Sequence, residues 1–170
     1  MRRPARPEWV VTLRPSTSGD VEFIGGLAEE LFAVYSARPR RHVLAMLEVP
    51  GTLGIVAEHD GEPVGFVVVT FEALGRDFGP LQRPVVAHLD AVAVAPHARG
   101  FGVGHTLLER VVDLAVAKPA VTISLRTAEG NDDARRLFRS CGFLTAATLG
   151  PHYGKGQTAI AMFKPLVLAP

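Results

Sequence analysis

The chain has 170 residues, 48% of them hydrophobic and 21% charged, which suffices for a globular domain with a core that needs no cross-links. A formal net charge of +1, with no basic patch interleaved with aromatics, gives no reason to expect nucleic acid or an anionic membrane as partner. The single cysteine, Cys141, excludes an internal disulfide, and no apolar run reaches the roughly 18 residues of a membrane span, so the cytoplasm is the expected location.

Residues 1–9 are rich in Arg and Pro and lack the apolar segment of a secretory signal; they read as a disordered lead-in to one domain over residues 10–168. Residues 10–14 predict a short strand, residues 15–19 a turn, and Asp20 the N-cap of a helix over residues 21–36 whose apolar positions follow helical spacing. Pro39 is expected to end that run, and residues 41–47 predict a second short helix. Residues 53–58 and 64–71 read as strands around Asp60 and Gly61, a strong hairpin signal, and residues 75–84 as a loop. Residues 85–95 predict a fourth strand, 102–117 a helix, 121–126 a fifth strand, and 131–141 a helix closed by Gly142. Residues 143–149 and 158–163 are the last two strands, with Tyr153 in the loop between them. Interleaved but not strictly alternating elements indicate a mixed α/β (α+β) sheet.

Arg99, Gly100, Phe101, Gly102, Val103 and Gly104 lie between the fourth strand and the helix after it. Glycines let the backbone curl so that several N–H groups converge, the helix start adds partial positive charge, and Arg99 adds a full one; such a turn suits phosphate. The dinucleotide fingerprint needs a glycine where His105 stands, and the Gly-Lys-Ser/Thr of a P-loop is absent. The plain alternative is a glycine-rich connection without a ligand.

A second block follows: Asn131, Ala134, Leu137, Phe138, Gly142 and Phe143. With Leu89-Asp90-Ala91-Val92-Ala93-Val94-Ala95-Pro96 and the turn at residues 99–104, it resembles the GNAT superfamily of acetyl-CoA-dependent N-acyltransferases. The resemblance implies a central, mostly antiparallel sheet of six to seven strands, splayed between strands 4 and 5 and flanked by about four helices. It implies acetyl-CoA as cosubstrate. The pyrophosphate would lie on the backbone of residues 99–104, with His105 at its edge, and the pantetheine arm would pair with Val92, Ala93 and Val94. Asn131, Ala134 and Phe138 would flank the arm, although Asn131 also reads as a helix N-cap. Partners would be an amine acceptor, small molecule or peptide, and a homodimer stays open. The six histidines are scattered, and no pair has metal-ligand spacing, so no metal is expected.

An alkylamine near pKa 10.4 is mostly protonated at neutrality, and freeing its lone pair costs about 4–5 kcal/mol, so a base is needed. Strand alternation would put His88, Asp90, Val92 and Val94 on one face, making His88 and Asp90 the candidate bases, with Glu72 behind them. Phe138 stands where many relatives carry an acidic tyrosine, so Tyr153 or solvent would protonate the leaving thiolate. Cys141 reads as a packed small residue. Glu22, Glu29, Glu30 and Glu72 would favour a cationic acceptor if they faced the cleft. The rival reading from another class is a non-catalytic acyl-CoA-binding or regulatory module, for which Phe138 is the motive.

Overall fold

The computed structural model describes residues 9–166. In chain order the elements are β1 (Thr12–Pro15), α1 (Val21–Phe32), α2 (Pro39–Leu47), β2 (Thr52–His59), β3 (Glu62–Ala73), β4 (Val85–Val94), α3 (Val103–Ala117), β5 (Ala120–Ala128), α4 (Asp132–Ser140), β6 (Leu144–Tyr153) and β7 (Gln157–Pro165). The strands form one seven-stranded sheet in the order β1-β2-β3-β4-β5-β7-β6, antiparallel throughout except for the parallel β4–β5 pair. Among the described residues this is the mixed α/β sheet with four α-helices that the sequence predicts. No helix among the described residues is long and apolar enough to cross a membrane.

Two glycines show which helix covers which face. A Cβ on Gly54 would meet Leu47 of α2, and one on Gly65 would meet Val103 and Leu107 of α3. Gly54 pairs with Val68, whereas Gly65 lies three positions away on the opposite face of β3, so α2 and α3 lie on opposite faces of the sheet. Ile24, Leu27 and Ala28 of α1 are buried, as are Leu107, Leu108 and Val111 of α3, and the centre of β3, Phe66 to Val69, fills the layer between.

Several local expectations change. Pro39 does not end the first helix, which stops at Phe32; it opens α2, where its fixed φ is preorganised and its missing N–H has no intrahelical partner to lose. Asp20 precedes α1 but does not cap it with its side chain. Its carboxylate accepts two bonds from Arg14, each 2.8 Å, and one from the Thr17 N–H, 2.7 Å. Tyr153 is the last residue of β6 rather than a loop residue. Most of the expected lead-in, residues 1–8, lies outside the described residues. Trp9, placed with it, stacks on His59 at 3.9 Å and on Phe101 at 4.2 Å between ring centroids.

The feature that shapes the site is in β4. Val69 pairs with Leu89 and Val68 with Ala91, so Asp90 is an extra residue, a β-bulge. A one-residue bulge inverts the alternation beyond it. His88 pairs with Thr70 and shares its face, the face of α1 and α2, whereas Val92 and Val94 pair with Val67 and Gly65 and turn to the face of α3. The expectation that His88, Val92 and Val94 share a face is therefore wrong, because simple period-2 counting cannot see a bulge. At the same point β4 and β5 part: their last pair is Leu89 with Leu125, and β5 continues to Ala128 beside β7 alone.

Candidate active site

The parting of β4 and β5 opens a cleft of about 550 Å³, walled by α1 and α2, the end of β6 and the start of α4. Six of the expected site residues line it: Asp90, Val92, Asn131, Ala134, Phe138 and Tyr153. Beyond the bulge, the N–H of Ala95 donates to the carbonyl of Val64 on β3 at 2.8 Å. Since backbone polar groups alternate along a strand, the N–H groups of Val92 and Val94 point the other way, into the split, while that of Ala93 points to β3. The side chain of Arg99 reaches the carbonyl of Val94 on the split side, Nε to O 3.4 Å.

Directly after β4 comes the glycine turn. Gly100 and Gly102 hold φ of +82° and +83°, the left-handed region that side chains disfavour. The first N–H of α3 to bond back is that of Thr106, to Gly102 at 3.0 Å, which leaves those of Val103, Gly104 and His105 facing outward. Gly104 is needed for another reason: a Cβ there would lie 2.9 Å from Leu137 of α4, so its bareness lets the two helix starts meet. The ring of His105 turns away from the turn, with Nδ1 3.1 Å from the Cys141 sulfur, and burial pushes that thiol up. Cys141 is thus a packed residue and not an activated one.

The two candidate bases part company. Asp90 lines the cleft; its Oδ2 accepts from the Thr70 hydroxyl at 2.5 Å, and Thr70 lies 2.6 Å from the hydroxyl of Thr52. Burial raises the Asp90 carboxyl, opposed by the Thr70 bond and by the charge of His88. His88 is not part of the lining. Its Nδ1 lies 2.7 Å from Ser124 Oγ and its Nε2 3.1 Å from Glu72, so both ring nitrogens are engaged. Phe138 is 4% exposed and packs on Phe143, so α4 offers the cleft no hydroxyl. Tyr153 does, edge-on to Tyr35 at 5.7 Å. Burial pushes its phenol up, while the charge of Arg126 pulls it down. Asn131 caps α4, its Oδ1 accepting from the Ala134 N–H at 3.3 Å, which leaves its amide N–H₂ free to donate.

Sequence reasoning missed Tyr35, His42, Arg126 and His152, all of which line the cleft. The first two follow from how the chain after α1 is tethered: the N–H of Gly154 donates to the Tyr35 carbonyl at 3.1 Å and Gln157 Nε2 to the Val34 carbonyl at 2.6 Å. Partners so distant in sequence leave no local signal. The four glutamates expected to draw a cation do not line the cleft; Glu22 and Glu29 face Arg40 at 2.6 and 4.0 Å, and Glu72 holds His88.

A family model described as the acetyltransferase (GNAT) family matches residues 22–143. A curated relative, the IAA acetyltransferase of Azospirillum brasilense, is 30% identical over 154 residues, covering 89% of this chain and 94% of the relative. Among solved structures, Arabidopsis thaliana NAA60 in complex with acetyl-CoA superposes with a TM-score of 0.79 at 17% identity, over 92% of this chain and 99% of that one. Ard1 from Thermoplasma volcanium superposes with a TM-score of 0.75 at 22% identity, over 92% and 98%. At such identities these structures establish a shared fold.

Proposed function

The chain belongs to the acetyltransferase (GNAT) family of N-acyltransferases, and from that premise we propose that it moves an acetyl group from acetyl-CoA to a primary amine held in the cleft, by direct attack in a ternary complex. The observation that carries this reading is the split between β4 and β5, with the N–H groups of Val92 and Val94 turned into it and the turn at residues 99–104 at its mouth. The site fits acetyl-CoA part by part. Outward N–H groups of α3 and Arg99 suit a pyrophosphate, the two strand N–H groups and the Asn131 amide suit the amides of a pantetheine arm, and Phe138 and Ala134 suit an apolar end. NAA60, the structural neighbour above, is described with acetyl-CoA bound.

In the reaction the amine nitrogen attacks the thioester carbonyl carbon; the C–N bond forms, the C–S bond breaks, and the amine proton leaves. Asp90 takes that proton, being the one carboxylate in the lining among the described residues and raised by burial toward the pH at which it must work. The thiolate, near pKa 8.5 for a cysteine-like sulfur, takes its proton from solvent. His88, through Ser124 and Glu72, positions the strand end from outside the cleft. The test is thiol release from acetyl-CoA across a panel of amines, beside the thermal shift that acetyl-CoA alone produces. Thiol release with at least one amine is expected; a thermal shift without turnover on any amine would leave the binding module standing in place of the enzyme.

A further inference from the structure

Among the described residues, Arg126 is the only lysine or arginine lining the cleft, and Asp90 is the only carboxylate. The rest of the wall is largely apolar, with Phe32, Val43 and Met46 among it. The Arg126 side chain makes no hydrogen bond or ion pair among the described residues. Its face follows from register: Ser124 pairs with His88 on the face of α1 and α2, and Arg126, two residues on, returns to that face. The glycine turn opens α3 on the other face, so Arg126 is directed away from the proposed phosphate site. Though exposed, it lines the cleft together with Tyr153, whose phenol its charge pulls down, and with Tyr35 and Gly154, which a backbone hydrogen bond joins.

We infer that the acceptor is a small amino carboxylate, whose carboxylate Arg126 binds while its amine faces Asp90. This inference rests on the proposed acetyl transfer. An acceptor carrying only positive charge would meet one favourable and one repulsive group, whereas a zwitterion meets both as partners. A planar guanidinium binds carboxylate through two parallel N–H bonds, which fixes orientation as well as charge. Hydrogen bonds from Gly154 and Gln157 tie the segment after α1 to the segment between β6 and β7, a bridge between two walls of the cleft that suits a short acceptor better than a polypeptide running through.

The experiment measures thiol release at saturating acetyl-CoA for free α- and ω-amino acids, each beside its primary amide and its decarboxylated amine, with short peptides alongside. Wild-type protein should prefer acids over their amides by about tenfold or more in kcat/KM. Arg126→Gln should collapse that ratio toward one, mainly through KM for the acid; Arg126→Lys should keep part of it; Arg126→Glu should invert it. Folding of each variant is checked by its thermal shift with acetyl-CoA. Equal use of acids and amides, preference for a peptide or polyamine, or equal loss on both acceptor types in Arg126→Gln would overturn the inference while leaving acetyl transfer intact. No turnover on any amine, with the acetyl-CoA shift retained, would instead sink acetyl transfer and this inference with it.

Discussion

Asp90 owes its place to a single extra residue. The bulge turns its carboxylate into the cleft, and Thr70 holds it there. Asp90→Asn should lower kcat about 10²-fold while KM for acetyl-CoA holds, since the loss falls on proton transfer. The base works ionised, so the rate should rise with pH through the raised pKa of Asp90, and this acid limb should vanish in Asp90→Asn. A limb that persists in the variant would move the base elsewhere, with His88 and Glu72 next to test. Tyr153 should matter less. Burial makes its phenol a weaker acid, and the thiolate needs little help, so Tyr153→Phe should cost less than about tenfold in kcat. A loss of 10²-fold or more would make Tyr153 the proton donor.

At the scale of elements, each junction rests on a few residues. The Arg14–Asp20 pair joins β1 to the start of α1, with Glu58 of β2 on Arg14 at 2.6 Å. The bond from Arg14 holds Asp20 at about 2 rather than 3.8. A carboxylate lowered by folding stabilises the native state above its ordinary pKa, and that contribution is lost as the pH falls through the native one. Asp20→Asn should therefore cost on the order of 1–2 kcal/mol near neutrality, and the difference from wild type should shrink between about pH 4 and 2, measured by urea denaturation. The glycine turn separates two kinds of need. At Gly102 an added Cβ meets nothing, so Gly102→Ala pays only for φ of +83°, about 1–2 kcal/mol, and weakens acetyl-CoA through the distorted turn. Gly104→Ala presses on Leu137, so its defect should appear as altered packing of α4 on α3 before any effect on the ligand. Equal stability of Gly102→Ala and wild type would show that the turn tolerates a side chain there.

Across the whole molecule, what was legible in the sequence was what is local. The strand and glycine block at residues 89–104 and the helix block at residues 131–143 carry their geometry in short spacings, and Asp60 and Gly61, with φ of +52° and +79°, state their hairpin in two residues. What was not legible depends on register or on distant contacts: the bulge at Asp90, the cleft position of Arg126, and the tie between Val34 and Gln157. The split, which the resemblance implied, makes the sheet two halves, β1–β4 and β5–β7, joined directly through the five pairs from Val85 with Ala120 to Leu89 with Leu125. A ligand arm lying in the split would bridge them. Acetyl-CoA at about a hundredfold over its Kd should add about 2.7 kcal/mol by linkage, and for a chain of this size each kcal/mol raises Tm by roughly 2–4 °C. A shift of about 5–11 °C is therefore expected. Adenosine 3′,5′-bisphosphate, which lacks the arm, can engage the turn but not the split. Amide hydrogen exchange separates the two: the N–H groups of Val92 and Val94 should gain protection with acetyl-CoA and with CoA, and little with the bisphosphate. Unchanged exchange at Val92 and Val94 under acetyl-CoA saturation, despite a Tm shift, would mean that the ligand is held outside the split and that the proposed path from the turn to Asp90 is wrong.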